Sequence, residues 1–356
     1  MRDILYDLDS WQRDGRSIAL ATVVETWGSS PRRVGAKMGL TMDGKIAGSV
    51  SGGCVENAVF EAGIDSLKTD RPRLLHFGVA DETAWEVGLA CGGSLDVFVK
   101  PLNANMYEAV HSTLSDEAPA VLGTIIRGPQ DMLGREILVR DNGTVTGSVG
   151  NEWDERVLKL AGESLSQGIS RRVLLAEEVE IFFEAILPSP TLIIVGGVHI
   201  AIALASLAKT LGYRTIMIDP RKVWGNADRF PHVDQLIQTW PAEAFSQVHV
   251  TRSTAVVMLT HDPKLDDPAA KIALASPAFY VGALGSKSTQ AKRHTRLSNE
   301  GVPESQLSRL HAPIGLDIGA QAPEEIALAV MAEVVQAFRK QGQQEVRAKA
   351  DLHPTV

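Results

Sequence analysis

The chain has 356 residues, 44% of them hydrophobic, which is enough for two ordinary cores rather than one. Lys and Arg number 35 against 43 Asp and Glu, a formal net charge of −8, and that balance argues against a nucleic-acid binder or a protein drawn to anionic membranes. Two cysteines are too few for a disulfide framework or a four-cysteine zinc site, so their role is chemical or a matter of packing.

The first fifteen residues carry no basic segment followed by an apolar core, so no secretory signal is read and a cytoplasmic protein is expected. Asp43-Gly44, between the runs 38–42 and 45–50, predicts a β-hairpin, and Asp141-Asn142-Gly143 between two similar runs predicts another. The two hairpins belong to a repeat. Residues 21–50 align with residues 123–149, matching Thr22 with Thr124, Gly35 with Gly134, Gly44 with Gly143, and Gly48-Ser49-Val50 with Gly147-Ser148-Val149. A later pair, DVFVKPL at 96–102 and EIFFEAIL at 180–187, also matches. Residues 1–188 are therefore read as a duplicated, β-rich α+β domain. What both copies share is scaffold, and what one copy has alone is a candidate for chemistry. Only the first copy has Ser29-Ser30-Pro31-Arg32-Arg33, Ser51-Gly52-Gly53-Cys54 and Ala90-Cys91-Gly92-Gly93.

After the strand at 46–50, Gly52-Gly53 turns the chain sharply, and Val55, Val59 and Ala62 mark one face of a helix. Cys54 is thus expected at a helix N-terminus, where unpaired N–H groups and the helix dipole favour a nucleophilic or metal-binding thiolate. Cys91 precedes its own Gly-Gly turn and the strand at 94–99. If those two strands lie side by side in one sheet, both cysteines face one pocket. Arg32, Arg33 and Lys37, with glycine amides beside them, suit a phosphate-bearing ligand. The plain alternatives are that a free cysteine is packing and that Arg32 and Arg33 form a solvated loop.

Ser189, between Pro188 and Pro190, marks a boundary. Residues 191–196 read as a buried strand, 199–211 as a helix, and 214–218 as a second strand ending at Asp219. The apolar stretch 191–208 contains Gly196, Gly197 and His199 and is read as strand, turn and helix, not as a membrane span. Further strands are predicted at 255–259 and 278–281, so residues 189–345 form a Rossmann-like, doubly wound parallel sheet, followed by a tail at 346–356 expected to be disordered. Asp219 stands 219 − 196 = 23 residues after Gly196, where an acidic residue binds a ribose hydroxyl in dinucleotide-binding domains. The glycine register gives Gly196, Val198 and Ala201, however, and a valine at the second position obstructs a pyrophosphate, so NAD(P) or FAD bound in the usual mode is not expected. Thr260-His261-Asp262 follows a strand at the ligand-binding edge, where His261, Asp262 and Asp266 are acid/base or metal-ligand candidates. The plainer reading is that Asp262-Pro263 caps the next helix. Residues 282–287, GALGSK, are a weak phosphate-loop candidate.

The stretches ATVVETWGSSPRRVGAKM, GSVSGGCVE, GLACGGSLDV, DPRKVWGNADRFP, LTHDPKLDDPA, YVGALGSKSTQAKR and HAPIGLDIGAQAPEEIALAVMAE resemble the XdhC/CoxI family of xanthine dehydrogenase accessory proteins. The resemblance implies a chaperone that binds molybdenum cofactor (molybdopterin), supports its sulfuration with a cysteine desulfurase, and inserts it into a molybdenum hydroxylase. The family's glycine-flanked cysteines correspond to Cys54 and Cys91, the expected cofactor-binding positions, either of which can contact molybdenum. Ser51, Gly52, Gly53, Gly92, Gly93, Arg32 and Arg33 are expected around them. Of the family's G-x-G-H-x-G turn, His199 is kept while Val198 and Ala201 depart. Gly196, Gly197, His199, Asp219, His261 and Asp262 are the second domain's candidates for completing the pocket. No catalytic residue is assigned, and a homodimer is expected. Two alternatives stay open: a nucleotide-dependent oxidoreductase with Cys54 and Cys91 as a redox pair, and a scaffold that docks the hydroxylase and desulfurase without holding cofactor.

Overall fold

The computed structural model describes residues 1–28, 32–78 and 93–350. The chain divides into two compact units, Met1–Pro188 and Ser189–Val356.

The first unit holds the same set of elements twice. In the first copy these are α1 (Leu5–Arg13), β1 (Ile18–Trp27), β2 (Lys37–Thr41), β3 (Ile46–Gly48), α2 (Glu56–Thr69), β4 (Arg73–Phe77) and β5 (Ser94–Pro101). In the second they are α3 (Ala104–Ser115), β6 (Ala120–Arg127), β7 (Glu136–Arg140), β8 (Val145–Gly147), α4 (Asn151–Gln167), β9 (Arg171–Ala176) and β10 (Val179–Ile186). Each copy forms an antiparallel five-stranded sheet, of order β3-β2-β1-β5-β4 and β8-β7-β6-β10-β9. Duplication is therefore a property of the fold, strand for strand. The predicted hairpins are β2-β3 and β7-β8, closed by Gly44 and Gly143 in left-handed backbone.

The register identifies equivalent positions. Thr22 of β1 pairs with Lys37 and Phe98, while Thr124 of β6 pairs with Glu136 and Phe182. Leu20 pairs with Lys100, and Leu122 with Glu184. Lys37 thus corresponds to Glu136, and Lys100 to Glu184. Across the two sheets Val24 and Phe98 meet their counterparts Ile126 and Phe182 in one buried cluster. Beside it, Lys37 Nζ lies 2.8 Å from Glu184 Oε2, and Lys100 Nζ lies 2.7 Å from Glu136 Oε2. All four side chains are almost wholly buried. Each residue contacts the counterpart of the one that contacts its own counterpart, as across a two-fold axis. This overturns the grouping of Lys37 with Arg32 and Arg33 as a phosphate contact. Lys37 lies inside the sheet sandwich, donating to Thr22 Oγ1 at 2.9 Å as well as pairing with Glu184.

The second unit comprises β11 (Thr191–Val195), α5 (His199–Thr210), β12 (Arg214–Ile218), β13 (Gln235–Ile237), α6 (Pro241–Ala244), β14 (Thr254–Met258), α7 (Pro263–Ala275), β15 (Tyr280–Ala283), α8 (Lys287–Asn299), α9 (Glu304–Leu307), β16 (Leu310–His311) and α10 (Pro323–Ala350). Its sheet is wholly parallel, of order β13-β12-β11-β14-β15-β16. Leu192 and Ile194 face a core with α5 and α10, and Ile193 and Val195 face the opposite core with α7. Burial on both faces is why the strands TLIIV and TAVVM read as unbroken apolar runs. Helix α10 runs to Ala350, into the segment expected as a tail from 346. Among the described residues no helix is long and apolar enough to cross a membrane.

Removing one partner of a buried ion pair strands the other charge in a dry interior. Lys37→Met or Glu184→Met alone is expected to destabilise the first unit by about 3–5 kcal/mol, and the double variant Lys37→Met, Glu184→Met to recover most of that loss. Urea unfolding of the three variants checks this, and additive losses would count against the pairing.

Candidate functional site

The exit of β3 carries the Ser49–Val55 turn. Glu56, first residue of α2, folds back beneath it, so the turn is built round one carboxylate. Oε1 accepts from Ser49 Oγ at 2.6 Å, Ser51 N at 2.9 Å and Gly52 N at 2.9 Å. Oε2 accepts from Ser51 Oγ at 2.5 Å and Gly53 N at 2.8 Å. Ser51 Oγ in turn accepts from the amides of Cys54 and Val55 at 3.0 and 3.1 Å. Burial pushes the Glu56 carboxyl up, but the bonds from Ser49, Ser51 and the backbone outweigh it and hold the group at about 2.

Cys54 is exposed and immediately precedes Val55, the N-cap of α2, as its position after Gly-Gly predicted. The amides of Gly52 and Gly53, residues expected around the cofactor, are taken by Glu56. Arg32 is also committed in part: its guanidinium donates to the Ser49 carbonyl at 3.0 Å and to Asp3 at 3.3 Å, which fastens the Arg32 loop to the cysteine turn. Arg33 is exposed.

The strands bearing the two cysteine turns are not neighbours, since β2 and β1 lie between β3 and β5. At about 4.8 Å per step, the three steps separate them by roughly 14 Å. The register points both ends towards the same edge of the sheet but at different heights: Gly48 pairs with Met38, which lies opposite Ala21, whereas Ser94 pairs with Trp27, 27 − 21 = 6 residues further along β1, roughly 20 Å at about 3.3 Å per residue. Gly93 and Ser94 enter β5 from that edge. Cys91 and Gly92 lie outside the described residues, as do Ser29, Ser30 and Pro31.

In the second unit the Rossmann crevice opens where the strand order reverses, between β11 and β14. The chain itself fills the places a dinucleotide uses. Asp219 is completely buried and both its oxygens are occupied: Oδ2 accepts from Gly197 N and Arg221 Nη2, each at 2.8 Å, and Oδ1 from Arg221 N and Nε, each at 2.9 Å. Burial pushes this carboxyl up, yet Arg221 and the amides prevail and lower it. A Cβ on Gly197 would lie 2.5 Å from the Trp224 carbonyl oxygen, and one on Gly196 would lie 2.1 Å from Thr260 Cγ2. The smallness of both glycines thus serves contacts within the chain. Arg221 and Arg229 flank the Trp224 ring, 5.8 and 5.0 Å from its centroid. These residues do not fit a dinucleotide with its ribose on Asp219.

His199 is the exposed first residue of α5, 3.6 Å from Glu324. Asp262 caps α7, accepting from Lys264 N at 3.0 Å, so the plainer reading of Asp262-Pro263 holds. His261 is exposed with φ +60°, left-handed backbone that costs a histidine conformational energy. Asp266 is no surface ligand: it accepts from Thr260 Oγ1 at 2.6 Å and pairs with buried Arg293 at 2.9 Å, and burial raises its carboxyl. Ser286 caps α8 by accepting from Thr289 N. Among the described residues, no group of three His, Cys, Asp or Glu is arranged to hold a metal.

The XdhC Rossmann domain profile matches residues 192–334, and the XdhC and CoxI family profile matches residues 11–78. A Bacillus subtilis (strain 168) protein, named as a probable subunit of xanthine dehydrogenase, is 30% identical over 341 residues, covering 94% of this chain and 97% of that protein. The chain belongs to the XdhC/CoxI family. The Escherichia coli (strain K12) molybdenum cofactor insertion chaperone PaoD is 28% identical over 322 residues, covering 90% of this chain and 83% of its own. A crystal structure described as a xanthine dehydrogenase from Bacillus halodurans superposes with a TM-score of 0.76 at 25% identity, covering 96% of each chain. The XdhC/CoxI stretch GSVSGGCVE contains Glu56, to which sequence reasoning gave no role. A carboxylate within three residues of Gly-Gly at a helix start was the available signal.

Because Glu56 is held far below its ordinary value of 4.5, it contributes stability above that value which is lost as the pH falls towards about 2. Glu56→Gln should therefore unfold at lower temperature than wild type near neutrality, with the gap closing progressively below about pH 4.5. Thermal unfolding followed across that range checks the sign. A gap that widens in acid contradicts it.

Proposed function

We propose that this chain holds molybdenum cofactor as cargo at the Cys54 edge of its first unit and delivers it to a xanthine dehydrogenase-type molybdenum hydroxylase. The observation that carries the reading is an exposed thiol on a turn fixed by its own hydrogen-bond network, in a chain whose relatives are named for xanthine dehydrogenase and for cofactor insertion. A soft thiolate suits the molybdenum and dithiolene end of the cargo. Cys91 is assigned the same role from the other cysteine turn. The phosphate end falls to Arg33, which is exposed, beside Arg32, which is held to Ser49 and Asp3.

Handing the cofactor on in the cytoplasm, after sulfuration by a cysteine desulfurase and from a homodimer, completes the proposal. His199 and His261 remain candidates for a role in the second unit, being exposed where α5 begins and where β14 ends. The oxidoreductase alternative needs a dinucleotide, and Asp219, Arg221 and Trp224 oppose one bound in the usual mode.

Purified molybdenum cofactor should bind wild type at about one per chain. Cys54→Ser should weaken binding about tenfold or more, and Cys54→Ser, Cys91→Ser should abolish it, a loss of at least about 1.4 kcal/mol for the first thiol. Retention by the double variant would leave a docking scaffold as the better reading. Saturable NAD(H) binding without cofactor binding would favour the oxidoreductase.

A further inference from the structure

The two copies treat the turn after their third strand differently. In the second copy Asp154 Oδ2 accepts from Ser148 Oγ at 2.6 Å and Oδ1 from Val149 N at 2.9 Å, so the carboxylate takes one hydroxyl and one amide. In the first copy the sequence Ser51-Gly52-Gly53 adds a hydroxyl and further amides, and Glu56 receives five bonds. Three successive N–H groups converging on one point with two hydroxyls form the donor set that elsewhere receives a phosphate. The nest is thus enlarged in the copy that carries the cysteine, and it is filled from within.

We propose that Glu56 is a specificity-determining residue of the cofactor site: its carboxylate occupies the amide nest of the Cys54 turn, keeps phosphate and other ligand oxyanions out of it, and leaves the thiol as the group by which the turn meets its cargo. An incoming phosphate would exchange one anion for another and lose a carboxylate tethered at no translational cost. The turn is thereby assigned to the sulfur and metal end of the ligand, away from its phosphate. This rests on the reading that Cys54 meets the cofactor, although the filling of the nest stands without it.

The test is titration of the full-length 15N-labelled protein with inorganic phosphate while following the Gly52 and Gly53 amide resonances. In wild type neither moves. In Glu56→Ala both shift saturably, with phosphate binding about tenfold or more tighter than in wild type, and acetate competes by refilling the nest. If Glu56→Ala is too unstable for spectra, phosphate and acetate should raise its thermal midpoint and leave that of wild type unchanged. Wild-type amides that titrate with phosphate overturn the proposal. So does a folded Glu56→Ala whose amides and thermal midpoint ignore both anions. Failure of wild type to bind molybdenum cofactor, with this pattern intact, would sink the cofactor reading alone. Cofactor bound through Cys54 by a protein whose wild-type amides take up phosphate would sink the role of Glu56 alone.

Discussion

Inside the first unit, two lysines from one copy of a repeat meet two glutamates from the other. Lys37 and Lys100 occupy positions equivalent to Glu136 and Glu184, and the pairs cross between sheets. Such pairs bring little net stability over well-packed apolar groups, but an unmatched partner is costly, so they act chiefly on which surfaces can be joined. They set the sheets face to face in one register, and the Val24, Phe98, Ile126 and Phe182 cluster fills the space beside them. The edge that presents the Cys54 turn depends on that register: slipping either sheet by one residue turns the charged side chains away from their partners.

Both units handle anion-binding geometry in the same way. A cysteine turn rich in glycine amides and a Rossmann turn followed by an acidic residue each look built to receive a ligand anion. In each the chain supplies the carboxylate itself, Glu56 in the first unit and Asp219 in the second. Asp219 is further locked by Arg221, and Trp224 closes on Gly197. Both turns thus have their backbone amides bonded within the chain itself.

What the sequence disclosed followed the range of the interactions. Turn chemistry at Asp43-Gly44 and Asn142-Gly143, the repeat itself and the apolar runs of the parallel sheet are local or periodic signals, and the fold followed from them. Lys37 misled because its partner Glu184 is 184 − 37 = 147 residues away, and a lysine near two arginines reads as a basic loop until the register places it in a strand. Glu56 was missed because a carboxylate at a helix start is an ordinary first-turn residue. Only the convergence of Ser49, Ser51, Gly52 and Gly53 distinguishes it.

The exchange of lysine for glutamate between equivalent positions also bears on ancestry. A single ancestral copy pairing with itself would have carried one residue type at each site, and the present residues could not have served: two first copies together would bury four lysines, and two second copies four glutamates. Opposite charges can be distributed in this way only between sequences free to drift apart while remaining each other's partner. The charge pattern in this interior therefore postdates the duplication, and it commits each half to pairing with the other and not with a copy of itself.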